Sequence, residues 1–237
     1  MGNETWCLMR ELFFPLACPI CGRPLVTGRE ARFGICSDCE RLFPLEDVGP
    51  GERCEVCGCP LISEIGVCTR CRKGEHSFDK AAVLYPYTQK WMTLLRAYKF
   101  RGHRALAPFF TEKILEGRAL FFDRAVFGEL TFVPVPPREG KIKTVGWDQV
   151  ESITRVLEKQ NAVCRCLRRL PSMTQKKLNA EERAKNLKGR IICTKKPPEN
   201  VLLFDDVYTT GATLEVCSSA LKEAGATRVY GLCLFHA

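Results

Sequence analysis

The sequence predicts an α/β protein in which a mostly parallel sheet follows a small cysteine-rich module. Three observations support this. Cys-x-x-Cys pairs fill residues 18–71, apolar strand-like runs alternate with helix-period segments from residue 81, and one such run ends in two aspartates and a threonine-rich loop. We therefore expect a cysteine-rich module over 1–80 and an α/β domain over 81–237.

The cysteine-rich segment contains an internal repeat. Residues 18–39 and 54–71 both read Cys-x-x-Cys-Gly-x-Pro-Leu, a spacer, and Gly-x-Cys-x-x-Cys. This spacing lets four thiolates hold one zinc ion at about 2.3 Å. We expect two structural zinc sites, paired sequentially, with an iron–sulfur cluster as the alternative. The ligands would be Cys18, Cys21, Cys36 and Cys39, then Cys54, Cys57, Cys68 and Cys71. Whether the extra thiol Cys59 is a ligand stays open.

The positive charge is concentrated in the second part of the chain. Residues 1–80 hold 10 Lys and Arg against 12 Asp and Glu, whereas residues 81–237 hold 26 against 15. Within 138–196 the balance is 16 against 6. Such a field attracts the phosphates of a small molecule or of nucleic acid, and a solubilising charge excess is the alternative.

Membrane insertion is not expected. No apolar stretch approaches the roughly 18 residues that cross a bilayer, and Arg10 and Glu11 interrupt any signal-peptide core. Cys-x-x-Cys pairs without a secretion signal favour metal over disulfides, so we expect a reducing cytoplasm.

Periodicity and turn residues place the remaining elements in order. Apolar runs closed by prolines or charges predict strands, and apolar residues at helical spacing predict helices. The predicted strands cover 81–87, 131–137, 201–204 and 228–237, and the predicted helices cover 89–100, 104–116, 148–160 and 213–226.

The stretch VLLFDDVYTTGAT (201–213) is the most informative in the chain. It predicts a strand, a loop and a helix start, where free N–H groups and the helix dipole attract anions. Thr209, Thr210, Gly211, Ala212 and Thr213 would bind a phosphate. Asp205 and Asp206 would accept hydrogen bonds from vicinal hydroxyls of the attached sugar, which makes the ligand a ribose 5-phosphate. A helix cap preceded by surface acids is the alternative.

This segment resembles the 5-phosphoribosyl-1-pyrophosphate (PRPP) motif of type I phosphoribosyltransferases. The resemblance implies a type I phosphoribosyltransferase-like fold, catalytic roles for Asp205 and Asp206, and a magnesium ion that arrives with PRPP. In that family a loop after an early strand binds pyrophosphate; residues 133–143 hold that place, with Pro136, Arg138 and Lys141. An ordinary basic loop is the alternative.

The segment 168–188, with Arg183, resembles the mobile loop that closes over PRPP in these enzymes. An amphipathic helix with a solvated basic face is the alternative interpretation.

The whole chain resembles the ComF family of competence-related proteins. The segments that carry the resemblance are LFFPLACPICGRPL (12–25), YKFRG (98–102), VGWDQ (145–149) and QKKLNAEERAKNL (175–187). Val145 departs from the pattern, because the family usually has arginine there.

The ComF resemblance implies an accessory role in competence and DNA uptake through single-stranded DNA, with Trp147, Tyr98 and Phe100 as possible stacking surfaces. Two partners follow, namely a sugar phosphate such as PRPP, and single-stranded DNA or the uptake machinery. The alternative function is an active phosphoribosyltransferase that moves ribose 5-phosphate from PRPP to a base or amine acceptor. The sequence does not identify that acceptor.

Overall fold

The computed structural model describes residues 16–45, 52–74, 76–85, 88–137, 146–171 and 189–236. Its main sheet has four parallel strands in the order β1, β6, β5, β2. A separate antiparallel pair is formed by β3 and β4. The strands are β1 (Lys80–Tyr85), β2 (Thr131–Pro134), β3 (Leu167–Arg169), β4 (Ile191–Cys193), β5 (Asn200–Tyr208) and β6 (Arg228–His236). The predicted α/β class with a mostly parallel sheet is confirmed.

Helices connect the strands and cover both faces of the sheet. The predicted helix over 104–116 opens instead with a 3₁₀ turn at Arg104–Leu106 and then runs on to Phe121. The helices are α1 (Gly28–Phe33), α2 (Ser37–Glu40), α3 (Thr69–Arg72), α4 (Gln89–Lys99), α5 (Ala107–Phe121), α6 (Arg124–Phe127), α7 (Gln149–Leu157) and α8 (Ala212–Glu223).

The sheet separates two hydrophobic cores. In β5, Leu202 and Phe204 pack with α4, α5 and α7, whereas Val201 and Leu203 pack with α8. Successive side chains of a strand point to opposite faces, so an apolar run buried on both sides is what a covered parallel sheet requires.

The two cysteine repeats, hereafter the first ribbon (residues 17–45) and the second ribbon (residues 53–72), lie on opposite faces of this sheet. The first ribbon contributes Cys18 and Phe43 to the core with α4 and α5, where the Phe43 ring lies 4.7 Å from the Trp91 ring. The second ribbon contributes Cys54 and Cys57 to the core with α8. The domain division at residue 80 stays a prediction.

The second ribbon also covers the free edge of β1. The Ala81 amide donates to the Val56 carbonyl at 2.7 Å, and the buried Arg53 guanidinium donates to the Val83 carbonyl. Gly58 has a φ of +68°, and a Cβ there would lie 2.6 Å from Ala82 Cα. Only glycine fits this approach, and the ribbon thereby satisfies backbone groups that an edge strand otherwise exposes.

Within the described residues, no helix combines the length and the apolar character that a bilayer crossing needs.

Candidate functional site

Each ribbon gathers four sulfur atoms. The Sγ atoms of each set lie within 4.8 Å of one another, and the sets are Cys18, Cys21, Cys36 and Cys39, then Cys54, Cys57, Cys68 and Cys71. The sulfurs are grouped in the sequential sets that the repeats predict, and Cys59 lies outside both sets although it is buried nearby.

The surroundings of the sulfurs suit zinc. The Cys68 amide donates to Cys54 Sγ at 3.3 Å, and Gly22 and Gly58 both adopt positive φ after the first pair of each ribbon. Backbone donors of this kind stabilise thiolates and fix their orientation. Four thiolates leave no open coordination position, so these sites would be structural.

Both candidate acids lie inside β5, which is longer than predicted. The strand runs to Tyr208 because β6 pairs with it as far as His236, so the prediction that it ends at residue 204 was wrong. The Asp206 amide donates to Asp205 Oδ1 at 2.8 Å. The two carboxylates are therefore neighbours along an extended chain, but they lie on opposite sides of the sheet.

Asp206 lies on the α4 side of the sheet. Its Oδ2 accepts a hydrogen bond from Lys99 Nζ, the last residue of α4, at 2.9 Å. Both side chains are partly shielded from water, with 28% of Lys99 and 14% of Asp206 exposed. This ion pair explains how one of two adjacent charges is tolerated at the end of an apolar strand.

Asp205 lies on the α8 side and lines a small pocket with Tyr208, Thr209, Gly211 and Thr213. Burial, reinforced by the negative charge of Asp206, raises the pKa of Asp205 to about 8, against the opposing effects of the Asp206 amide and Lys99. The structure thus brings Asp205 together with the threonine-rich loop.

The loop has the geometry of an anion site. Gly211 has a φ of +76° and precedes α8, which begins at Ala212 without a side-chain cap. The Ala212 amide donates to Thr210 Oγ1 at a long 3.4 Å, and the following amides of the first helical turn remain available to a ligand. A Cβ on Gly211 would lie 2.4 Å from the Tyr208 hydroxyl, so no larger residue fits. Thr209 and Thr210 are exposed beside it.

The candidate pyrophosphate loop follows the carboxyl end of β2, the same end of the parallel sheet at which Asp205 and Asp206 lie. β2 pairs with β5 up to Pro134 opposite Phe204, and the Val135 amide donates to the Phe204 carbonyl at 3.0 Å. Pro136 is buried there. The other predicted residues of this loop and of the mobile loop, Arg138, Lys141 and Arg183, lie outside the described residues.

Comparison with known proteins adds evidence of a different kind. No family model matches the chain. It is 28% identical over 225 residues to competence protein F of Haemophilus influenzae, which covers 85% of this chain and 91% of that protein. Competence protein ComFC of Streptococcus pneumoniae is 26% identical over 90% of this chain and 97% of its own length. The DNA utilization protein YhgH of Escherichia coli K12 is 26% identical over 94% and 98%. These relatives support the resemblance of the chain to the ComF family.

Two segments that carry the ComF resemblance meet beside β5. The Tyr98 hydroxyl donates to the Gln149 carbonyl at 2.9 Å, and Gln149 Nε2 donates to the Lys99 carbonyl at 3.3 Å. These contacts hold the end of α4 against the start of α7, and so position Lys99 for its pair with Asp206. The sequence pattern includes Lys99 in the YKFRG segment but carries no local sign of this contact.

The stacking surfaces predicted from the sequence need correction. Tyr98 and Trp147 are buried and pack edge to face with ring centroids 5.1 Å apart, because they close the core between α4 and α7. Phe100 is 76% exposed, immediately after Lys99. Of the three aromatic residues, Phe100 alone can stack on a base.

Proposed function

We propose that this protein binds PRPP or a closely related sugar phosphate at the corner between β5 and α8, and that it assists DNA uptake in competence by binding single-stranded DNA. The observation that carries the first part is the placement of Asp205 in one pocket with Thr209, Gly211 and Thr213 at an uncapped helix start. The names of the ComF relatives support the second part.

The residues fit a phosphate attached to a sugar. Phosphate oxygens would accept from the Thr209 and Thr210 hydroxyls and from the first amides of α8. Sugar hydroxyls would donate to Asp205, and to Asp206 Oδ1, because Oδ2 of Asp206 is engaged by Lys99. Magnesium would be carried by the pyrophosphate and neutralise it.

Binding single-stranded DNA calls for positive charge and an exposed ring. No Asp or Glu occurs between Asp79 and Glu112. In this interval Phe100 is exposed and followed by the exposed side chains of Arg101, His103 and Arg104. A base stacked on Phe100 would have its phosphates beside these groups, and it would lie next to Lys99 and thus close to Asp206.

Calorimetric titration with PRPP and magnesium, with single-stranded DNA, and with each in the presence of the other tests both parts. We expect saturable PRPP binding that Asp205→Asn combined with Asp206→Asn abolishes. DNA binding should weaken steeply with salt. Absence of PRPP binding in the parent would refute the first part, and absence of DNA binding at low salt would refute the second.

The alternative function, an active phosphoribosyltransferase, can be tested on the same purified protein. Release of pyrophosphate from PRPP after addition of purine, pyrimidine or amine acceptors would support transfer. PRPP binding without such release would support a binding role.

A further inference from the structure

An arginine from the second ribbon reaches the threonine-rich loop. Arg70 lies in α3, between the ligand candidates Cys68 and Cys71. Its Nη1 donates to the Thr209 carbonyl at 2.9 Å, across 139 positions of sequence. The side chain is exposed, and its other N–H groups have no protein partner among the described residues.

The loop has no cation of its own. No Lys or Arg occurs between Lys196 and Lys222, whereas Asp205, Asp206 and Glu215 all lie in that interval. The cations near the two aspartates also come from other elements, since Lys99 pairs with Asp206 and Arg169 acts on Asp205. A phosphate held by the loop itself would therefore need a positive group from outside the loop. Arg70 is placed to supply it, and its guanidinium has the donor geometry that binds phosphate in pairs of hydrogen bonds.

A second observation points to a ligand at the same place. Tyr208 is only 2% exposed, and its hydroxyl has no hydrogen-bond partner among the described residues. This hydroxyl lies against Gly211 inside the loop. A buried hydroxyl without a partner costs free energy, and its occurrence directly under the loop indicates a site that is completed by something else.

We infer that Arg70 is a phosphate ligand, so that the second ribbon forms one wall of the sugar-phosphate site. This inference rests on the proposed function and extends it. The metal would have a purpose beyond folding, because Cys68 and Cys71 fix the backbone on both sides of Arg70 and hold its guanidinium over Thr209.

The first ribbon provides an internal contrast. The position equivalent to Arg70, two residues after the third cysteine, is Asp38, whose carboxylate pairs with Arg23 at 2.8 Å. The first ribbon also lies on the other face of the sheet. The two repeats have therefore diverged at the residue that faces outward between their last two cysteines, and only the second carries a cation to the loop.

The test measures binding of ribose 5-phosphate by calorimetry to the full chain and to Arg70→Ala, Arg70→Gln and Arg72→Ala, with zinc content determined for each. Arg72 is the matched control, because it lies in the same helix and donates to Ile65 within its own ribbon. Arg70→Gln keeps a donor for Thr209 while removing the charge, and so remains informative if Arg70→Ala loses zinc.

We expect Arg70→Ala to weaken ribose 5-phosphate binding by about tenfold or more. Arg70→Gln should also weaken binding, with a shallower salt dependence than the parent, while Arg72→Ala binds as the parent does. A purely structural role for Arg70 would leave that salt dependence unchanged. Parental affinity and salt dependence in Arg70→Gln with full zinc content would overturn this inference alone, whereas no binding by the parent would overturn it together with the proposed function.

Discussion

Lys99 and Asp206 form a partly buried ion pair at 2.9 Å, which joins the end of α4 to the acid pair in β5. The two residues are far apart in the sequence but in direct contact in the folded protein. The pair holds one carboxylate of the candidate site in a fixed place before any ligand binds.

Replacing Lys99 with methionine should destabilise the protein. The change leaves Asp206 without its cation in a shielded position, and we expect a loss of about 1–3 kcal/mol in the free energy of unfolding measured in urea. The matched control is Arg124→Ala, because the Arg124–Glu129 pair is exposed on both sides and should contribute less than about 1 kcal/mol. Equal effects of the two substitutions would contradict the assigned role of Lys99.

Asp205 should make stability depend on pH. Its pKa of about 8 in the folded protein lies above its ordinary value of 3.8, so the folded chain retains a proton that the unfolded chain has lost. The free energy of unfolding should therefore fall as the pH rises between these two values. The melting temperature of the Asp205→Asn variant should exceed that of the parent at pH 8. At pH 3 the two melting temperatures should be equal.

The control for this experiment is Glu129→Gln, an exposed acid whose loss should leave the pH profile as in the parent. If the stability of the Asp205→Asn variant changed with pH in the same way as that of the parent, the claim that Asp205 keeps its proton in the folded protein would be contradicted.

Gly211→Ala should be destabilising and should abolish sugar-phosphate binding. An alanine at φ +76° is strained, and its Cβ would overlap the Tyr208 hydroxyl, for a combined loss of about 1–3 kcal/mol. Gly28→Ala is the control, because a Cβ there meets nothing within 4 Å. Thermal melting and PRPP titration measure the two effects, and normal PRPP binding by the Gly211→Ala variant would exclude the loop as the site.

Each ribbon should hold one zinc ion. Replacing Cys36 and Cys39 together by serine, or Cys68 and Cys71 together, should lower the zinc content from two ions per chain to one. Both changes should lower the melting temperature, since each ribbon belongs to a core of the sheet. Cys59→Ser is the control, and loss of an ion from it would make Cys59 a ligand. Metal analysis and thermal melting provide the measurements.

Phe100→Ala should weaken binding of single-stranded DNA by about 1–3 kcal/mol, the contribution of one stacked base. The melting temperature should stay unchanged, because the ring is exposed. Leu120→Ala removes another exposed apolar side chain and should not affect DNA binding. Fluorescence titration with labelled oligonucleotides measures the difference, and identical affinities for both variants would remove Phe100 from the interface.

Local patterns of the sequence predicted much of this fold. The repeated cysteine spacing specified both sulfur sets, since a metal site needs ligands at short fixed intervals. Alternation of apolar strands with helix-period segments specified the parallel sheet. The last helix was predicted from residue 213 and begins one residue earlier, at Ala212, directly after Gly211.

Features that depend on distant partners were not predictable in the same way. β5 continues through Asp205 and Asp206 because β6 pairs with it and Lys99 compensates one charge. The antiparallel pair of β3 and β4 was missed, because three-residue strands give no measurable period. That Arg70 reaches Thr209 depends on how the second ribbon packs, which no local pattern records.

The strand order has a consequence for how the chain is made. β1 is the first strand of the sheet to emerge from the ribosome, whereas β6, its partner, is the last of the four. The second ribbon precedes β1 and already satisfies its outer edge through Val56 and Arg53. Metal uptake by the nascent ribbon would therefore shield one edge of this strand from other chains and leave only the edge that awaits β6 open.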